Sequence, residues 1–170
     1  STCIQTITVQ DITAPAITCP MDVVINCEDP STPVATGTAT ATDNCDASPV
    51  VTFADATIPG SCAGNFTITR TWTATDNCGN TSTCVQTISV QDITAPSITC
   101  PADVVINCED PSTPAVTGAA TATDNCDASP VISFADATIP GSCAGNYTIS
   151  RTWTATDECG NTSTCIQTIT

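Results

Sequence analysis

The sequence has no histidine and two cationic residues, Arg70 and Arg151, against seventeen aspartates and glutamates. A net charge of −15 built this way excludes nucleic acid and anionic membrane surfaces as partners, since phosphate binding rests on basic side chains. Without histidine there is no usual general base for nucleophilic catalysis, and one of the two commonplace zinc ligands is missing. Aromatics are 4% of the residues, and Phe53, Phe66 and Trp72 fall in strand patterns, so exposed rings that would anchor a sugar are scarce. No apolar run approaches the roughly 20 residues that cross a bilayer, and no signal-peptide pattern is present. The natural partner of such a surface is a cation.

What the chain does have is repetition. Slid on itself it matches with a period of 81 residues, Asp11 onto Asp92, Cys19 onto Cys100 and Trp72 onto Trp153. Where residues 11–89 overlay 92–170, twelve positions differ, nearly all mildly, so the two copies must fold alike. The stretch Arg70 to Pro101 occurs once whole; its second half opens the chain and its first half closes it. Residues 1–10 therefore read as the last strand of a preceding repeat, 11–91 as one repeat and 92–170 as the next, short of its final residues. The expectation is a segment of a longer array.

Thirteen cysteines become regular in this register. Each repeat has six, Cys19, Cys27, Cys45, Cys62, Cys78 and Cys84, then Cys100, Cys108, Cys126, Cys143, Cys159 and Cys165, while Cys3 is the sixth of the repeat before. An even number per small, aromatic-poor unit predicts a disulfide framework formed in an oxidising compartment, extracellular or at a cell surface. No CxxC occurs and the spacings match no common zinc motif.

Within one repeat, the joint DITAPAIT (11–18) carries Pro15 and no Gly or Ser run, which predicts a stiff connection. DVVINC (22–27) reads as a short strand, EDPSTP (28–33) as a turn, and 34–42, with small apolar residues alternating with Thr, as a half-buried strand. DNCDASP (43–49) is a loop, 50–58 a strand and PGSCAGN (59–65) a turn. FTITRTWTATD (66–76) is the clearest strand: Phe66, Ile68, Arg70, Trp72 and Ala74 share one face, and threonines line the other. NCGN (77–80) turns the chain into a last strand, 81–90. Many short strands without helical periodicity predict an all-β sandwich. Arg70 on the apolar face predicts a structural ion pair with Glu28 or Asp55.

The motifs DxTAPxITCP, ATDN and WTATDxCGNxSTC, with a closing VQD, resemble the hyalin repeat (HYR) family over nearly the whole of each repeat. The resemblance implies tandem immunoglobulin-like β-sandwich domains, an extracellular setting, and arrays in adhesive or surface proteins, here most like those of bacteria. The family's first-to-last disulfide carries over to Cys19–Cys84 and Cys100–Cys165; the four further cysteines of each repeat depart from the family pattern. In an immunoglobulin-like sandwich, the loops holding Cys45 and Cys78 gather at the joint end and those holding Cys27 and Cys62 at the other. That predicts 27–62 and 45–78, repeated as 108–143 and 126–159.

The joint end also collects oxygen ligands: Asp11, Asp43, Asn44, Asp46 and Asp76, then Asp92, Asp124, Asn125, Asp127 and Asp157, with Asn77 becoming Glu158. Hard oxygen donors without histidine suit calcium (Ca2+). The plainer reading is that DN and GN make Asx turns. Catalysis finds little support: GSCAG (60–64 and 141–145) imitates a nucleophile elbow but lacks a base. Asn65, Asn80, Asn146 and Asn161 open formal glycosylation sequons. The expected function is a structural segment of a long extracellular fibre or adhesin stalk, arranged as an elongated rod and contacting neighbouring repeats of its own chain. The alternatives are a carbohydrate- or protein-binding module, and a filament subunit in which residues 1–10 are donated to another copy.

Overall fold

Nearly all regular structure is β in a computed structural model that describes residues 2–170. The chain divides into two compact units. The first runs up to Ile25 and adds Asp29–Pro59 and Phe66–Val90; the second is Asn26–Glu28, Gly60–Asn65 and Gln91–Thr170.

The first copy of the fold comprises β1 (Ala16–Thr18), β2 (Val23–Asn26), a single helical turn α1 (Pro33–Thr36), β3 (Thr40–Thr42), β4 (Val50–Pro59), β5 (Phe66–Thr75) and β6 (Thr81–Gln91). β1 pairs antiparallel with β3, and the other sheet runs β2-β6-β5-β4. The second copy comprises β7 (Ser97–Thr99), α2 (Pro114–Thr117), β8 (Thr121–Thr123), β9 (Val131–Pro140), β10 (Tyr147–Thr156) and β11 (Thr162–Ile169). Its sheets are β7-β8 and β11-β10-β9, and Val104 forms an isolated parallel bridge to Ile169 where the first copy has β2. Each is an immunoglobulin-like β-sandwich. Its sheets are joined by a disulfide, Cys19–Cys84 with Cα atoms 5.9 Å apart and Cys100–Cys165 at 5.8 Å.

One expectation changes. The segment 34–42 is not one strand: Pro33–Thr36 is a helical turn, and only Thr40–Thr42 is extended. Proline at the first helical position has its φ preset for the turn, and Gly37, at φ 101°, closes it in a conformation that side chains resist. Residues 2–10 carry no regular structure. β5 is already flanked by β4 and β6, so it offers this segment no edge.

The alternation along β5 sets the core. Ile68, Arg70, Trp72 and Ala74 are buried, and their partners across β6 are Ile88, Gln86, Cys84 and Ser82. On the β4 side, Asp55 faces Arg70 and Phe53 faces Trp72. Trp72 thus lies beside the inter-sheet disulfide, with the Phe53 ring 5.3 Å away.

The layer above is polar. Arg70 is 1% exposed and donates from Nε and Nη2 to the two Asp55 oxygens (both 2.8 Å), from Nη1 to Thr36 Oγ1 and from Nη2 to Ser31 O. Its guanidinium also stands 4.6 Å from the Phe53 ring centroid, close enough for a cation–π contact. Gln86 Nε2 donates to Met21 O and Thr36 O, fixing the helical turn over the sheet. Arg151, Asp136, Thr117 and Gln167 repeat these bonds.

Removing one partner of such a pair leaves the other buried and uncompensated, so Asp136→Ala should cost about 3 kcal/mol, read from the urea midpoint. The hydrogen bond from Arg151 holds the Asp136 carboxyl below its usual pKa. Its stabilisation is therefore complete above the ordinary carboxylate range, near pH 4, and is lost as pH falls through the lowered value. In Asp136→Asn this acid-side loss should shrink.

Candidate metal centre

The acidic loops are first of all turns. In DNCDAS, Asp43 Oδ1 accepts from the N–H groups of Cys45 and Asp46 (both 2.9 Å). Asp46 Oδ1 accepts from Ser48 N at 2.9 Å, and its Oδ2 accepts from Asn77 N at 3.0 Å, which ties this loop to the β5–β6 loop. Asp76 Oδ1 accepts from Cys78 N and Asn80 N, while Oδ2 accepts from Asn80 Nδ2 at 2.7 Å. The same Asn80 amide reaches Asp11 O at 3.3 Å. One period on, Asp124, Asp127, Asp157 and Asn161 make the equivalent bonds, and Asn161 Nδ2 donates to Asp92 O at 3.2 Å.

These turns bring three carboxylates together in each unit. Asp11, Asp43 and Asp76 each offer an oxygen within 4.8 Å of the others, and so do Asp92, Asp124 and Asp157. The turns do not use every oxygen: Asp43 Oδ2, Asp92 Oδ2 and Asp124 Oδ2 are buried with no hydrogen-bond partner. A desolvated carboxylate oxygen without a donor is costly unless a cation meets it. The donors are oxygen alone, which fits a hard divalent ion.

The remaining expected ligands go elsewhere. Asp46 and Asp127 are buried with both oxygens given to backbone N–H groups. The Asn44 and Asn125 amides turn to the sulfurs of Cys45 and Cys126. Glu158 Oε2 accepts from Ala63 N at 3.1 Å. Asn80 and Asn161, expected in turns and as sequons but not at the acidic sites, are the braces of the trios, and the amide nitrogen that would carry a glycan is engaged. Their signal was the fixed spacing of four residues from Asp76 and Asp157.

Electrostatics separates the members. Burial, joined by the charges of Asp124, Asp157 and Asp127, pushes the Asp92 carboxyl up. Burial also acts to raise Asp76, but hydrogen bonds from the Asn80 side chain and from the Asn80, Cys78 and Gly79 backbone prevail and hold it low.

The cysteine pairing differs from expectation. Instead of 27–62 and 126–159, Cys27 bonds Cys126 (Cα–Cα 6.3 Å) and Cys62 bonds Cys159 (5.2 Å). Neither 45–78 nor 108–143 forms; Cys3, Cys45, Cys78, Cys108 and Cys143 are free and exposed. The expectation closed each repeat on itself, but the second unit includes Asn26–Glu28 and Gly60–Asn65, so Cys27 and Cys62 fold with the cysteines of the following repeat. Cys27 and Cys126 sulfurs also lie near Asp92, but they are bonded to each other and so are not metal ligands. The Cys62 sulfur, central to GSCAG, is consumed likewise.

No family model and no curated protein sequence matches the chain. Among solved structures, protocadherin gamma C5 EC1-3 is similar at 11% identity and a TM-score of 0.35, covering 92% of this chain and 67% of that one. PcdhgB3 EC1-4 is similar at 11% identity and a TM-score of 0.30, covering 92% and 50%. Among the described residues, no helix is long and apolar enough to cross a membrane.

Asp46→Ala would strand the N–H groups of Ser48 and Asn77, so a loss of about 2 kcal/mol is expected in chemical denaturation. Asn44→Ala, whose amide meets only a sulfur, should change stability by less than about 0.5 kcal/mol.

Proposed function

We propose that this chain is a calcium-stabilised structural repeat of an extracellular adhesion protein or fibre stalk, in which each Asp trio holds one divalent ion. The observation that carries the reading is the orphaned carboxylate oxygen inside each trio, Asp43 Oδ2 in one and Asp92 Oδ2 and Asp124 Oδ2 in the other. In the ion's presence these oxygens gain a partner and the mutual repulsion of three carboxylates is offset. Four disulfides support an oxidising, extracellular setting. The repeats 11–91 and 92–170 are the structural modules, and residues 1–10 the final strand of a further one; the near-complete exposure of Ile4 and Val9 (90% each) supports a docking partner for that strand.

Calcium should raise the melting temperature, with half of the effect at roughly 0.1–1 mM, the range of extracellular modules. The double variant Asp43→Asn, Asp124→Asn keeps the turn-forming oxygens and should lose that response while melting no lower without metal. A wild-type melting temperature that ignores calcium at ten times that concentration, or a variant that responds as strongly as wild type, would sink the proposal.

A further inference from the structure

In the second unit, Asn26–Glu28 and Gly60–Asn65 form a receptor for the loops that follow. Asn65 Oδ1 accepts from Asp92 N at 2.6 Å, Asn26 Nδ2 donates to Thr94 Oγ1 at 3.0 Å, and Ala63 N donates to Glu158. A Cβ on Gly64 would meet Cys126 Cβ at 2.9 Å and Asp92 Cβ at 3.1 Å. Two disulfides, Cys27–Cys126 and Cys62–Cys159, seal the contact.

One period later the same receptor sequence is open. Asn107, Cys108, Gly145 and Asn146 line a cavity of about 440 Å3. A Cβ on Gly145 would meet nothing but Cys108 Sγ, at 3.9 Å. Cys108 and Cys143, equivalents of Cys27 and Cys62, are free and exposed. The inserting half is also repeated unused: Cys45 and Cys78 stand where Cys126 and Cys159 stand one period on, and both are free. The pairing rule seen once in this chain therefore accounts for four of its five free thiols.

We infer that Cys108 with Cys143, and Cys45 with Cys78, are two unfilled halves of one double bridge, each completed by a further repeat of this same sequence. The cavity beside Cys108 takes the DNC loops of that repeat, and two bonds equivalent to Cys27–Cys126 and Cys62–Cys159 close. At each bond two thiols lose two protons and two electrons to a small disulfide oxidant such as oxidised glutathione, which leaves as two thiols. This goes beyond the calcium reading and does not depend on it.

The test extends this chain by a second copy of residues 90–170 after Thr170, refolded with oxidised and reduced glutathione in EDTA. Free thiols are alkylated before digestion and mass mapping. The 170-residue chain should show five free thiols. The extended chain, with six more cysteines, should again show five, because Cys108 and Cys143 bond the appended copies of Cys126 and Cys159. Replacing Cys108 and Cys143 by Ser in the extended chain should free those two copies while the Cys19–Cys84 and Cys100–Cys165 peptides persist, which separates loss of the bridge from loss of folding. A Cys108–Cys143 or Cys45–Cys78 peptide, or nine free thiols in the extended chain, would overturn the inference.

Discussion

A guanidinium buried in a small core is the constraint on which each sandwich depends. Few apolar side chains are buried in the first copy, Ala39, Ile68, Trp72, Ala74, Ile88 and Val90, so apolar burial alone has little to work with at this domain size. Arg70 reaches what they cannot. Its guanidinium makes four hydrogen bonds, two to Asp55 of β4, one to Thr36 in the helical turn and one to Ser31 just before it, and it stands over the Phe53 ring. Because Asp55, Arg70 and Gln86 are direct neighbours across three strands, a one-residue slip of any one strand would turn its member to the opposite face, away from the other two. The polar layer therefore selects one register, and the disulfide beside Trp72 in the next layer locks the second sheet to it.

The aspartates divide between two kinds of work that look alike in composition. Asp46 and Asp127 spend both oxygens on backbone N–H groups and hold two loops together. Asp43 and Asp124 spend one and keep the other buried beside two further carboxylates. In the reading proposed above, turn-making and ion-holding are thus coupled: the Asx turns that shape the loops use one oxygen of Asp43 and of Asp124 and leave the other buried without a donor. A high negative charge is tolerable in so small a fold where part of it is neutralised locally, by hydrogen bonds at Asp76 and by an ion in the reading proposed above.

Cysteine use follows the same economy. One bridge per repeat lies inside a sandwich, and the rest of the pairing runs from one repeat's loops to the next repeat's loops within a single compact unit. In repeat proteins stability is close to a sum of unit and neighbour terms. A covalent neighbour term makes local opening of one repeat costly to propagate.

Much of this was legible in the sequence. Strict alternation in 66–76 determined β5 and its buried face, since a strand places every second side chain on one side, and the lone cation on that face had to find a carboxylate. The period of 81 residues determined that the fold occurs twice. Tertiary structure decided the rest. Whether Asp43 or Asp46 keeps a spare oxygen depends on which N–H groups each meets across loops 31 residues apart. Pro33 to Thr36 became a helical turn because Arg70 and Gln86 needed Thr36 there. Cys27 chose Cys126 over Cys62 because near-identical repeats present the same cysteine types at every period, and only the three-dimensional approach of the loops tells one period from the next.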